Sequence, residues 1–304
     1  MKSADVQYIE LLEDILANGI RQSNRTGIDT LTIPGAMLKF DLQEGFPALT
    51  TKKLAWNQVK GELIGFLRGY STVTKFQELG CTVWDANVNS PTWQEKLAKE
   101  GLIPEYMGRI YGVQWRNYLG HEPTGVNRGI PIEVDQIARA LNELRTNPHS
   151  RRIIVNAWNP AEVATNMACL PPCHVLFQLL PHVDSKVLHM TMYQRSCDMF
   201  LGIPFNIASY ALLLELFCHW SGYTAGTLTM FLADAHIYVN HLDQVNEQIK
   251  RKPYSSPKLW IESMVNSSVL QSLDINTLVN FLDSEKLHLT EYQSHAAIKA
   301  SMAV

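Results

Sequence analysis

Cysteine is scarce in this sequence and shows no spacing typical of disulfide or metal sites. The chain has five in 304 residues, at positions 81, 169, 173, 197 and 218, and no two of them form a CxxC pair. An odd number of thiols without paired spacing argues against a disulfide framework. The first residues also lack a charged leader followed by an apolar segment, so we expect no secretory signal. Both absences predict a protein of the reducing cytoplasm.

The sequence also lacks an excess of charge of either sign and a long apolar run. The 26 Lys and Arg face 29 Asp and Glu, for a formal net charge of −3. Without a basic excess we expect no DNA partner, and any anion site must be local. The apolar run 207–220 contains Glu215 and His219 and falls short of the roughly 20 residues that cross a bilayer. We therefore expect no membrane span.

Three common cofactor motifs are missing as well. There is no GxGxxG and no Walker A sequence, which disfavours nicotinamide and ATP sites of those kinds. Cys169, Cys173 and His174 could suggest zinc, but a second ligand pair is absent. We expect no metal.

The residues that are present predict an α+β fold. With 46% hydrophobic and 18% charged residues, the chain can bury a sizeable core. Apolar residues at helical spacing predict helices at 5–17, 55–67, 132–147 and 206–220. β-rich runs predict strands at 151–160, 174–181 and 186–200, and a strand running into a helix over 227–249. No regular βαβα alternation occurs, which argues against a doubly wound sheet.

Two segments carry more specific expectations. Pro34 and Gly35 interrupt the run 31–42, which predicts a hairpin or a bent pair of short strands. The stretch 87–127 is rich in Asn, Gly and Pro, and we interpret it as loops that fold over something.

Cys173 is a candidate nucleophile. It follows two prolines and precedes His174, and Arg195 on the next strand could favour its thiolate. The alternative is a small apolar core residue, because most free cysteines are buried. A Cys-His-Asn hydrolase using His236 and Asn206 is a further alternative, although nothing in the sequence brings the three together.

Several arginines indicate a phosphate site. Arg25 lies in a turn, Arg151 and Arg152 are adjacent, and Arg195 is followed by Ser196. Forked guanidinium donors with a hydroxyl suit a phosphate dianion. Singly, each arginine could equally form a surface salt bridge.

Nine segments of the sequence resemble the thymidylate synthase family, in that family's order and across nearly the whole chain. They are RTG, FPALTTKK, VWD, YGVQWR, SRRIIVNAWNP, LPPCH, QRSCDMFLGIPFNIASYALL, DAHIYVNHLDQ and a terminal AV. The resemblance implies a single α+β domain over 1–304 and a homodimer formed back to back through sheets. It implies a methyltransferase that makes dTMP and dihydrofolate from dUMP and 5,10-methylenetetrahydrofolate.

The resemblance also implies roles for the residues that face dUMP. Cys173 adds to C6 of the pyrimidine, and Asn206 reads O4 and N3–H of the base. His236 and Tyr238 hold the sugar hydroxyl. The remaining nucleotide contacts are Arg25, Gln194, Arg195, Ser196 and Asp198, with Arg151 and Arg152 reaching across from the other subunit.

Further roles concern proton transfer and the folate. Glu62 organises waters for proton transfer, and Tyr111 helps to remove the C5 proton. Met302, Ala303 and Val304 resemble the tail that closes over the folate and excludes water. The implied folate contacts are Lys52, Trp84, Asp198, Leu201, Gly202, Phe205, Ala303 and Val304.

Four positions depart from the family pattern. Arg109 stands where Pro is usual, Gly65 where Trp is common, Ala55 where a His often contacts folate, and Asn87 replaces an aromatic residue. These departures concern the packing of the folate, and so keep a dUMP hydroxymethylase open as an alternative.

A third hypothesis belongs to another class: a catalytically idle nucleotide- or RNA-binding protein. It predicts binding without release of tritium from C5-labelled dUMP.

Overall fold

A seven-stranded mixed sheet forms the centre of the computed structural model, which describes residues 1–125, 128–262 and 266–302. The strands of the described chain are β1 (Ile20–Gln22), β2 (Thr30–Asp41), β3 (Tyr118–Gly125), β4 (Arg128–Val134), β5 (Ile154–Asn156), β6 (His174–His182), β7 (Val187–Gln194), β8 (Cys197–Asp198), β9 (Thr224–Tyr238), β10 (Lys258–Ile261) and β11 (Leu287–Thr290).

The helices lie mainly before and between these strands. They are α1 (Ala4–Asn18), α2 (Trp56–Leu67), α3 (Val73–Glu78), α4 (Asp85–Val88), α5 (Pro91–Glu100), α6 (Tyr111–Arg116), α7 (Gln136–Thr146), α8 (Pro160–Ala164), α9 (Gly202–Ser221), α10 (Leu242–Gln248), α11 (Ser267–Leu270) and α12 (Ile275–Asn280). This mixture of a largely antiparallel sheet with helices confirms the predicted α+β class.

The order of strands brings distant parts of the chain to one end of the sheet. It is β1-β2-β9-β7-β6-β5, with β8 also paired to β9, and only the β7–β9 and β8–β9 pairs are parallel. The start of β6 therefore lies beside the end of β7, with His174 opposite Gln194. The pairing of β8 places Asp198 opposite His236 near the end of β9.

Local signals explain the opening helix. The Ser3 side chain accepts the Val6 N–H, which caps α1, and the helix ends at Gly19. Tyr8, Leu12 and Ile15 are completely buried at helical spacing. The helix predicted at 5–17 is thus confirmed.

The long apolar helix α9 is the core of the molecule. It extends over 20 residues, Gly202–Ser221, because it begins five residues before the apolar run 207–220 on which the expectation was based. By length and composition it could cross a membrane, yet 78% of its apolar 18-residue window is buried inside the protein, as in the core helix of a globular domain.

Of the two alternatives predicted at Pro34 and Gly35, the hairpin is wrong, and the bend occurs within one strand rather than between two. β2 is a single strand of 12 residues. Gly35 has φ of +72°, while the pairs Pro34↔Asp234 and Ala36↔Leu232 keep one register on either side of it. Glycine adopts this backbone angle without strain, so the strand bends there without losing its partner β9.

The loops predicted over 87–127 are instead largely regular structure. Pro91 opens α5, Gly101 ends it with φ of +66°, and Trp93 and Leu97 are buried on one face. The helices are short, and both strands of the hairpin β3–β4 contain Gly and Pro, so neither leaves a clear hydrophobic period in the sequence.

Candidate active site

Cys173 lies at the start of β6, directly beside Arg195. The Arg195 backbone N–H donates to the Cys173 carbonyl at 2.9 Å. Its guanidinium donates to the carbonyls of Pro172 at 2.8 Å and Pro171 at 3.0 Å, and Nη2 lies 3.9 Å from Cys173 Sγ. The arginine therefore holds the diproline segment in place and puts a positive charge next to the thiol.

Burial raises the pKa of the Cys173 thiol, and the charge of Arg195, the hydrogen bond to Tyr111 and the charge of Arg25 oppose this rise. Because the net shift is upward, the thiol carries its proton at neutral pH. Its attack on an electrophile must then be accompanied by proton loss, and Arg195 stabilises the sulfur as it gains charge.

Tyr111, Trp84 and Glu62 form a buried polar group behind the cysteine. The Cys173 N–H donates to Tyr111 Oη at 2.7 Å, and Trp84 Nε1 donates to Glu62 Oε1 at 2.9 Å. The rings of Trp84 and Tyr111 contact edge to face with centroids 6.1 Å apart. The helices α2 and α6 thus bring a carboxyl group and a phenol into one connected group, which contacts Cys173 through Tyr111.

Burial raises the pKa of Glu62 to about 8, with the hydrogen bond from Trp84 opposing it. At neutral pH this carboxyl group is protonated and can donate a proton. A carboxyl group poised near neutrality suits general acid catalysis.

A second cluster centres on Asn206, near the start of α9. Gln194 Nε2 donates to Asn206 Oδ1 at 3.1 Å and to the Ser196 carbonyl at 3.0 Å. These bonds fix the plane of the Asn206 carboxamide. The carboxamide also forms a hydrogen bond with the His174 ring, so Gln194 and His174 together orient it.

His174 is a member of this cluster that the sequence analysis did not assign. Its ring contacts Tyr111 at 4.8 Å and Tyr210 at 5.3 Å between centroids. Burial lowers its pKa to about 4, against a hydrogen bond with Asn206, so the ring is neutral. Its position directly after Cys173 was the available signal.

His236 and Tyr238 lie at the end of β9, where β8 brings Asp198 alongside. His236 Nδ1 is 3.5 Å from Asp234 Oδ2, and Thr32 Oγ1 donates to the other oxygen of that carboxylate. Burial lowers the pKa of His236, but the hydrogen bond and charge of Asp234 outweigh it and leave the pKa raised. Among the described residues, His236 bonds Asp234 and Asn206 bonds Gln194, and no hydrogen bond joins His236 to Asn206 or to Cys173, as the hydrolase alternative would require.

The predicted phosphate arginines divide into two groups. Arg25 is exposed in the turn before β2, and its charge acts on the pKa values of both Cys173 and Tyr238. Arg151 and Arg152 are exposed before the edge strand β5, and neither forms an ion pair with a described residue. Arg25 therefore acts on the groups around Cys173 of its own chain, whereas Arg151 and Arg152 are open to solvent.

Comparison of the sequence with known proteins shows which family the chain is related to. The family model described as thymidylate synthase matches residues 6–304. The thymidylate synthase of Pseudomonas putida is 39% identical over 98% of this chain and 99% of its own length. That of Pseudomonas syringae is 38% identical and that of Bordetella parapertussis 37%, with the same coverage. The chain belongs to the thymidylate synthase family.

Membership in the thymidylate synthase family confirms the predicted methyltransferase class, and the relatives do not favour the hydroxymethylase alternative. Membership in this family of enzymes also disfavours a catalytically idle binding protein. The family uses 5,10-methylenetetrahydrofolate as its co-substrate. Over the residues described, no group of three His, Cys, Asp or Glu side chains is arranged to hold a metal ion.

The residues expected to contact folate in a thymidylate synthase surround the start of α9. Asp198 Oδ1 accepts the N–H groups of Phe200 at 2.9 Å and Leu201 at 3.1 Å. Leu201, Gly202 and Phe205 are all partly buried there. The second carboxylate oxygen of Asp198 accepts no hydrogen bond from the described residues, which fits a ligand with a donor edge.

Lys52 and the C-terminal tail flank the same region. The Lys52 amine donates to the Phe200 carbonyl and lies 3.6 Å from the centre of its ring, and burial lowers its pKa to about 8. The buried His241 donates from Nε2 to the Ser301 carbonyl at 2.8 Å, which anchors the tail beside Phe200. Met302 is exposed, and Ala303 and Val304 lie outside the described residues.

The four departures from the family pattern have different surroundings. A side chain at Gly65 would meet the Phe76 ring at 2.4 Å, so Phe76 occupies the space that a larger residue would need. Ala55 is exposed before α2 and Asn87 is partly buried in α4. Arg109 forms an ion pair with Glu162 at 2.8 Å.

Proposed function

We propose that this protein catalyses the reductive methylation of dUMP to dTMP, as one domain spanning residues 1–304 and with Cys173 as the nucleophile. The observation that carries the assignment is the position of the thiol, 3.9 Å from a guanidinium nitrogen and bonded through its own N–H to Tyr111. The five cysteines are all free, which supports a reaction in the reducing cytoplasm.

The covalent step starts at Cys173. Its thiol gives up its proton to water as the sulfur forms a bond to C6 of the pyrimidine, and the electron pair of the C5–C6 double bond moves through C4 to O4. Asn206 Nδ2 donates to O4 and stabilises the charge that develops there, while Oδ1 accepts N3–H. The addition makes C5 nucleophilic, which an aromatic carbon otherwise is not.

Glu62 and Tyr111 handle the protons. The neutral Glu62 is suited to protonate O4 and the departing folate nitrogen through ordered water. Burial holds the pKa of Tyr111 well above its ordinary value, so its neutral hydroxyl orients the water that takes the proton from C5. C5 has by then formed a bond to the one-carbon unit, and departure of the folate nitrogen leaves an exocyclic methylene on C5. Hydride transfer from the tetrahydrofolate to this methylene makes the methyl group, restores the C5–C6 double bond, expels the sulfur from C6 and leaves dihydrofolate.

The nucleotide is bound at two places, through its phosphate and through its sugar. Arg25, Arg195 and Ser196 bind the phosphate, and His236 with Tyr238 holds the sugar hydroxyl. Arg195 directs only Nε and Nη2 at described protein carbonyls, which leaves Nη1 for a phosphate oxygen.

The folate supplies the one-carbon unit and a hydride, and Asp198, Trp84, Leu201 and Phe205 would hold it against the nucleotide. Trp84 is committed to Glu62 through its N–H, so its ring face is the part left for the folate. The terminal tail, anchored at Ser301, closes the site and excludes water, which favours a methyl over a hydroxymethyl product.

Product analysis tests the proposed reaction. The protein is incubated with dUMP and 5,10-methylenetetrahydrofolate, and both products are followed. We expect dTMP and dihydrofolate in equal amounts. Formation of 5-hydroxymethyl-dUMP with unoxidised tetrahydrofolate would establish the hydroxymethylase instead, and binding without loss of the C5 hydrogen would establish the idle protein.

We also propose that the protein is a homodimer formed through the open face of the sheet. Met37, Phe231 and Tyr193 are neighbours in one cross-strand row and are 57%, 44% and 40% exposed. The adjacent row, Leu38, Met230 and Met192, is buried under the helices. An apolar row exposed on one face of a central sheet suits a second copy of the chain.

Mixing two inactive variants tests whether arginines are shared between subunits. Cys173→Ala and the double variant Arg151→Ala/Arg152→Ala are each expected to have little activity. Random exchange makes half of the dimers mixed, and one of their two sites is then intact, so about a quarter of the wild-type rate should return. No recovery after demonstrated subunit exchange would show that these arginines do not complete a neighbour's site.

The protonation of Glu62 predicts a pH-dependent stability difference. A carboxyl group whose pKa rises from 4.5 to about 8 on folding is neutral in both states below 4.5, and only the unfolded chain ionises between 4.5 and 8. Its burial therefore costs stability increasingly over that range, by at most about 5 kcal/mol above pH 8. We expect the free energy of unfolding of Glu62→Gln, relative to wild type, to increase from pH 5 to pH 8.

Urea denaturation at several pH values measures this difference. Glu13→Gln, on the exposed side of α1, is the matched control and is expected to leave stability unchanged over the same range. A Glu62→Gln difference that does not vary with pH would mean that Glu62 is already charged at neutrality.

A further inference from the structure

We propose that Arg109 and Glu162 are positioning residues that hold the segment carrying Tyr111 against the segment carrying Cys173. The inference rests on the proposed roles of Tyr111 and Cys173 and adds two residues to which the resemblance assigns no part. Arg109 was noted in the sequence only as a departure from the family pattern.

The two segments run side by side just before the residues they deliver. Gly108 and Ala168 form an antiparallel bridge, the Arg109 N–H donates to the Met167 carbonyl at 2.7 Å, and the Cys169 N–H donates to the Met107 carbonyl at 3.0 Å. The contact is close, since a side chain at position 108 would lie 2.3 Å from the Met167 oxygen. Any change in spacing between the segments therefore also moves the tyrosine and the cysteine at their ends.

A buried ion pair joins the segments through their side chains. Arg109 Nε lies 2.8 Å from Glu162 Oε1, and both side chains are only 12% exposed. Gln114 donates to the other Glu162 oxygen and, at 3.0 Å, to the Arg109 carbonyl. Asn159 donates to Glu162 at 3.2 Å. The carboxylate is thus the common acceptor of α6 and of the chain that leads from α8 to Cys173.

A change at the ion pair is passed to Cys173 through Tyr111. Tyr111 follows Arg109 by two positions, and its hydroxyl accepts the Cys173 N–H at 2.7 Å. Pro171 and Pro172 stiffen the approach to Cys173, so the ion pair and the diproline fix the two partners of that bond. Misplacement of a reacting group by about 1 Å can cost about 100-fold in rate.

The experiment compares Arg109→Met with Arg116→Met. Arg116 ends the same helix α6 and pairs with Asp135 at 2.9 Å, with side chains 12% and 29% exposed. Its other hydrogen bonds go to the Leu67 carbonyl and to Asn276, and among the described residues none goes to the segment before Cys173. Both variants lose a buried pair of similar kind. The quantities measured are kcat and KM for tritium release from C5-labelled dUMP, per dUMP-binding site found by titration.

For Arg109→Met we expect kcat per site to fall about 10- to 100-fold with KM within about threefold of wild type. Arg116→Met should lower thermal stability but keep kcat within about twofold. Arg109→Lys, which keeps the charge beside Glu162, should restore most of the rate. Equal losses of kcat in Arg109→Met and Arg116→Met, or a normal kcat in Arg109→Met, would overturn the proposal.

Removal of one member leaves a buried charge without its partner, which can prevent folding. The double variant Arg109→Met/Glu162→Met removes both charges, and in that case it decides the test. It should show the same loss of kcat as Arg109→Met. A normal kcat in the double variant would overturn the inference. Failure of the proposed function is separate, because it appears as continued turnover by Cys173→Ala.

Discussion

Cys173→Ala is expected to abolish methylation of dUMP while leaving the nucleotide bound. Removal of a covalent nucleophile typically costs more than about 10⁴-fold in kcat, because the residual site can only bind and polarise the substrate. The phosphate, sugar and base contacts proposed here use other side chains, so the dissociation constant for dUMP should change by less than about threefold. Turnover is measured as tritium release and binding by calorimetry.

Cys169→Ala is the matched control for this substitution. Cys169 is a second partly buried thiol, four residues earlier in the same segment, and burial raises its pKa to about 12. We expect this variant to retain its activity. Mass spectrometry of wild-type protein with 5-fluoro-dUMP and the folate should find the adduct on residue 173, and substantial turnover by Cys173→Ala would remove the covalent mechanism.

Asn206→Asp is expected to shift the preference of the enzyme from dUMP towards dCMP. Uracil offers an acceptor at O4 and a donor at N3–H, whereas cytosine reverses both. A protonated Asp can donate to cytosine N3 and accept from its amino group, which matches the reversed pattern. We expect the ratio of kcat/KM for the two nucleotides to change by at least about 100-fold, since an unpaired buried polar group is strongly penalised.

The neighbours of Asn206 make this substitution informative. Gln194 can still donate to the carboxyl oxygen at position 206, so the side chain should keep its plane. Asn206→Ala is the control and should weaken the use of both nucleotides without reversing their order. Kinetics of tritium release from both labelled nucleotides measure the ratio, and an unchanged selectivity in Asn206→Asp would show that another group distinguishes the bases.

The sequence predicted those features of the fold that depend on neighbouring residues. Ser3 and Gly19 delimit α1, and the alternation in 186–194 predicts β7, because caps and side-chain periods act within a few residues. The prediction failed where a distant strand decides the outcome. β2 remains one strand through Pro34 and Gly35 because β9 pairs with it on both sides of the bend.

The candidate site shows the same division. The motif around Cys173 and the resemblance of the segment 194–213 were enough to propose a nucleophile, a phosphate site and a reader of the base. They did not indicate that Trp84 holds a protonated Glu62, that His174 lies against Tyr111, or that Arg109 meets Glu162.

The amino-acid sequence by itself determined the kinds of chemical group this protein can use and the local elements that carry them. Only the tertiary structure decided which groups meet and in what protonation state. The physical reason is that burial and contacts between residues tens of positions apart set both distance and pKa, as for Glu62 and Trp84, and neither quantity is written in a local pattern.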